Sequence, residues 1–72
     1  METDMQKMDT EYALKLLAEG GNQGNGSGCL YMETGQYKPW SMPVILALKR
    51  RGYRVDTLAP QVFLLFPKTS QL

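Results

Sequence analysis

The sequence has no histidine, a single cysteine and almost no excess of charge, and each shortage removes a class of chemistry. Without histidine there is no imidazole to activate a serine or cysteine nucleophile, and no Cys/His set for a structural zinc. With Cys29 as the only thiol, no disulfide can close within the chain. A lone cysteine fits a reducing compartment. Eight Lys and Arg stand against seven Asp and Glu, a net charge of +1. That is far from the cationic excess of a protein held to nucleic acid by phosphate contacts. The longest apolar runs, Pro43–Leu48 and Val62–Phe66, fall well short of the ~20 residues of a membrane span. The opening METDMQKMDTEY carries no apolar h-region, which sets the expectation of no signal peptide and a cytoplasmic location. No cofactor, no metal and no membrane partner is expected.

What is present points to one small folded unit. A chain of 72 residues allows a single domain. A domain of this size buries only about 60% of its unfolded surface, so its stability margin is thin. Composition divides the chain into a flexible or helix-extending N-terminus over 1–8, a domain over 9–67 and a tail over 68–72. Within the domain, 20–28 reads GGNQGNGSG, a flexible loop by composition.

The organising stretch is Ser41–Phe66. Val44, Ile45, Ala47 and Leu48 recur at helical spacing, with Pro43 in the first turn and Gly52 just past the end. Two β-rich runs follow, Tyr53–Thr57 and Val62–Phe66, joined by Leu58-Ala59-Pro60-Gln61 as a hairpin. Upstream, Tyr12, Ala13, Leu16 and Leu17 share a face of a first helix over Asp9–Glu19, capped near Asp9 or Thr10 and stopped by Gly20-Gly21. A longer version starts near Thr3 and adds Met5 and Met8 to the stripe. Cys29–Glu33 alternates as a strand; Thr34-Gly35 either turns it into a short hairpin with Gln36-Tyr37-Lys38 or, as Pro39 favours, Gly35–Trp40 is an irregular link into the second helix. The expected fold class is α+β, two helices packed on a three-stranded, mainly antiparallel sheet in the order α-β-α-β-β. A crossover from Cys29–Glu33 through the second helix to Tyr53–Thr57 would instead make one strand pair parallel. The expected core is Leu16, Leu17, Leu30, Val44, Leu48, Val55 and Leu64.

Two stretches bear on function by resemblance. Asn22-Gln23-Gly24 followed by Cys29 resembles the N-Q-G…C stretch of papain-like cysteine proteases, which implies an oxyanion role for Gln23 and a nucleophilic Cys29. That family opens a helix at its cysteine and takes its base from a histidine. Here Cys29–Glu33 patterns as a strand and no histidine exists, so no catalytic residue is carried over and the chain is read as a non-enzyme. Helix Pro43–Arg51 followed at once by a hairpin is similar in element order to winged-helix proteins, which implies nucleic-acid contact by the cationic cluster Lys49, Arg50, Arg51 and Arg54.

The leading functional expectation is different. If Thr57 faces Val62, Val55 faces Leu64 and Tyr53 faces Phe66, the opposite side of the hairpin carries Phe63 and Leu65 where a one-sided sheet should be polar. A last strand is often an edge, open to strand addition. Phe63 and Leu65, with the aromatic residues Tyr37 and Trp40, are therefore the expected binding residues for another protein or a second copy of the chain. The chain is therefore expected to be a small interaction module, an inhibitor or accessory factor similar in size to phage and mobile-element proteins. The nucleic-acid reading stands second.

Overall fold

The computed structural model describes residues 3–20 and 28–68. The interior of the glycine-rich loop, including Gln23, and the tail beyond Lys68 lie outside the described residues. The elements run α1 (Asp4–Ala18), β1 (Leu30–Glu33), α2 (Met42–Arg50), β2 (Arg54–Ala59) and β3 (Val62–Phe66). The fold is α+β, with the expected order of elements and an all-antiparallel three-stranded sheet.

α1 takes the longer of its two expected forms. Thr3 is its N-cap: the Thr3 hydroxyl accepts from the Gln6 backbone N–H at 3.0 Å, and the Thr3 N–H donates to the Gln6 side-chain oxygen at 3.4 Å. This reciprocal pair is a capping box, and it satisfies donors that the first helical turn leaves open. Asp9 and Thr10 accordingly lie inside the helix. Thr10 is fully buried there, its hydroxyl donating back to the Gln6 carbonyl at 2.7 Å. The Gln6 amide also donates to the Pro43 carbonyl at 3.0 Å, which fastens the start of α1 to the start of α2.

α2 ends in a Schellman motif. The Gly52 N–H donates to the Lys49 carbonyl at 3.0 Å and the Tyr53 N–H to the Leu48 carbonyl at 3.2 Å. Gly52 has φ of 91°, a conformation that costs L side chains and not glycine. The turn sends the chain directly into β2, leaving the C-terminal cations of the helix on its rim.

The sheet order is β1-β3-β2, so the last strand to appear in the chain is the central one. This corrects the expectation that Val62–Phe66 forms an edge. β1 and β2 both run antiparallel to β3, which lies between them. The crossover through α2 therefore exists, but its two strands are not neighbours and no parallel strand pair results. Thr34 extends β1 by donating its N–H to the Gln61 carbonyl at 2.9 Å, and bridges on to Trp40 as the link turns back.

Both helices cover one face of this sheet. α1 supplies Ala13 and Leu17, α2 supplies Val44, Ile45 and Leu48, and the sheet supplies Leu30, Met32, Phe63 and Leu65 to one cluster closed by Trp40. Leu16 and Val55 flank it half-buried. Among the described residues, no helix is long and apolar enough to cross a membrane.

Candidate protein-interaction surface

Register decides which side chains are available for contact. Arg54 pairs with Phe66, Val55 with Leu65, Asp56 with Leu64 and Thr57 with Phe63; then Leu58 bulges, and Ala59 pairs with Val62. The extra residue slips the hairpin by one position from the expected pairing. A slip of one residue moves every side chain of a strand to the other face. Phe63 and Leu65 therefore point into the core, at 5% and 0% exposure, and form no surface strip. Leu64, expected in the core, stands half-buried on the opposite face with Val62 and Phe66.

That opposite face is the one neither helix covers, and it is apolar at its centre. Val62, Leu64 and Phe66 alternate along β3. On one flank, β1 places Tyr31 beside Leu64 and Glu33 beside Val62. On the other, β2 places Asp56 beside Leu64 and Arg54 beside Phe66. Tyr31 is 40% exposed. The Arg54 guanidinium lies 4.4 Å from the centroid of the Phe66 ring while donating to both oxygens of Asp56, at 2.8 and 3.3 Å. Hydrogen bonding to the Asp56 carboxylate, reinforced by its charge, raises the Arg54 pKa further above its ordinary value. Across from it, Lys38 pairs with Glu33 at 3.2 Å. The result is an apolar centre inside a rim of paired charges, the layout of protein interfaces.

The other expected binding residues are scattered. Trp40 is buried, stacked beneath Tyr12 with ring centroids 5.9 Å apart, so it acts as a lid on the core. Tyr37 is 89% exposed on the turn that follows β1. Met5, Met8 and Tyr12 form an exposed stripe along α1. There Thr3, Met5, Gln6, Asp9, Ser41 and Pro43 line an open cleft between the starts of the two helices.

The cationic cluster is also divided. Arg51 donates to the Glu11 carboxylate at 2.8 Å, tying the end of α2 to α1, and Arg54 is held by Asp56 on the sheet. Lys49 and Arg50 stand exposed at the helix end. Two of the four cations are thus neutralised locally, which lowers the charge such a patch can offer to phosphates. Cys29 is 1% exposed and packs as a small hydrophobe in the interior. Among the described residues, no group of three His, Cys, Asp or Glu side chains is gathered to hold a metal ion.

One feature of the sequence does point to the open face. A strand that is apolar at every position, as Val62–Phe66 is, belongs between two neighbours with both faces in use. Only the bulge at Leu58 tells which set of alternate residues faces the helices. No protein-family model matches the chain, and no curated protein or solved structure matches it.

Proposed function

We propose that this chain is a small, non-enzymatic interaction module, an inhibitor or accessory factor that binds another protein through the open face of its sheet. The observation that carries this reading is the apolar centre of that face. A sheet packed on one side alternates apolar residues inward with polar residues outward. Here the outward positions of the central strand are Val62, Leu64 and Phe66. Continuous apolar surface on an otherwise polar rim marks an interaction site. The positions are fixed by the ladder on both sides, so the face is presented rigidly and binding orders little more of it. The nucleic-acid reading has less support, because Arg51 and Arg54 are already paired with Glu11 and Asp56.

The test is site-specific photo-crosslinking in the native host. A benzophenone side chain replaces Tyr31 on the open face in one variant and Lys49 at the end of α2 in another. A discrete protein adduct from position 31, absent when Leu64→Glu is added without change in the far-UV circular dichroism, is the expected result. Adducts only from position 49, lost after nuclease treatment, would transfer the function to nucleic-acid contact.

A further inference from the structure

The two edges of the sheet are not equivalent. Along β1, the link that follows turns back so that Trp40 bridges to Thr34, which closes off the end of that edge. β2 has a neighbour on one side only, since the sheet order places it outermost with no further strand among the described residues. Its residues are half-buried at Val55 and Asp56 and exposed from Thr57 onward. Natural edges are guarded by charged side chains, which repel a copy when like charges meet across the pair, by proline or by bulges. The bulge at Leu58 and Pro60 guard the far end of β2. Its first half carries one charge of each sign, Arg54 and Asp56, on either side of Val55.

That arrangement is self-complementary. When an edge strand pairs antiparallel with its own copy about a two-fold axis normal to the sheet, residues from the same face must oppose one another, because side chains alternate with a period of two. The register must then be centred on a residue that stands opposite its own copy, and not between two successive residues. Centred on Arg54, it sets arginine against arginine. Centred on Asp56, it sets aspartate against aspartate. Centred on Thr57, it drives Asp56 against Leu58 in the bulge. Centred on Val55, it sets Arg54 of each copy against Asp56 of the other, Val55 against Val55 and Tyr53 against Thr57. Opposite charges across a strand pair favour pairing and like charges oppose it. β-branched and aromatic pairs add to the same register.

The geometry points to a symmetric homodimer in which β2 pairs with β2 of a second copy about Val55, making one six-stranded antiparallel sheet. The Arg54–Asp56 contact within each chain exchanges for two between chains, so no charge is stranded by association. The open faces of the two copies lie on the same side of the joined sheet, and any partner of that face meets two adjacent sites. The dimer does not depend on the partner-binding reading, since it uses the edge of β2 and not the face of β3.

Sedimentation equilibrium of the full chain tests this. The unmodified chain, 8.1 kDa as a monomer, is expected to show a concentration-dependent rise to twice that mass. Arg54→Asp and Asp56→Arg each place like charges across the axis, and each is expected to sediment as a monomer with its far-UV circular dichroism retained. An equimolar mixture of the two is expected to regain the doubled mass, resolved as a one-to-one heterodimer by native mass spectrometry. Neither variant can form the ion pair within its own chain, so recovery in the mixture reports pairing between chains. Leu64→Glu is expected to leave the mass unchanged. A monomeric unmodified chain at its highest soluble concentration would overturn the proposal, as would a mixture no more associated than its components. Hydrogen exchange on the unmodified chain gives the same decision without substitution. β2 amides are expected to gain protection as concentration rises, and protection independent of concentration overturns the dimer.

Discussion

Phe63 and Leu65 on one side of β3, and Val62, Leu64 and Phe66 on the other, share a strand, a composition and a backbone, yet differ in what covers them. The first set meets two helices and is buried; the second meets solvent and the side chains of its own face. Hydrophobicity of the residue thus does not decide its role here. Layering does. A chain with two helices on one side of three strands can bury one face, and apolar residues on the other face are left for a different use.

The sharpest way to break that contrast is a charge on each side of the strand. Phe63→Asp places a carboxylate where no partner waits and is expected to unfold the protein, read as loss of the helical circular dichroism signal at 25 °C. Phe66→Asp faces solvent beside Arg54 and is expected to keep the fold. If both variants unfold, the open face is part of the core after all. A finer cut comes from truncation. Leu65→Ala is expected to cost ~2–5 kcal/mol in urea unfolding, against total stability of roughly 0.05–0.15 kcal/mol per residue. Leu64→Ala is expected to cost about 1 kcal/mol or less. Equal costs would abolish the distinction between the faces.

Away from the sheet the expected effects shrink. Thr3→Ala removes the capping box of α1 and is expected to cost ~0.5–2 kcal/mol, most visible as early fraying of residues near Met5 in hydrogen exchange. No change in that fraying would show that the Gln6–Pro43 contact alone holds the end of the helix. Smallest is the Glu11–Arg51 pair. A double-mutant cycle with alanine at both positions is expected to return a coupling of ~0.2–1 kcal/mol that falls with added salt, as for exposed ion pairs.

The sequence was most informative where single residues constrain the backbone. Pro43 and Gly52 bracketed α2 to within a residue of its observed span, and Gly20 marked the end of α1, because proline and glycine act locally. The start of α1 was equally local, written as Thr3-Asp4-Met5-Gln6, but its polar surroundings resembled a frayed terminus. The site was hidden for a different reason. Whether Leu64 or Leu65 faces inward depends on one extra residue at Leu58, and nothing in the local run marks that residue as a bulge. The position of β3 between the other strands is a tertiary fact, which hydrophobic alternation alone does not encode.

The central strand is also the last of the five elements to leave the ribosome. Until Val62–Phe66 is made, β1 and β2 have no strand in common, since each hydrogen-bonds to β3 and not to the other. The sheet cannot be assembled piecemeal from the first strand onward. Helix pairing can begin early and β2 and β3 close as a local hairpin, but β1 joins the sheet only when Leu30 meets Leu65, and closing that separation adds an entropic barrier to folding. A nascent chain stalled at Pro60 would expose two unpaired strands and half a core. Completion of this sheet therefore waits for β3, and aggregation competes with folding until that strand is available.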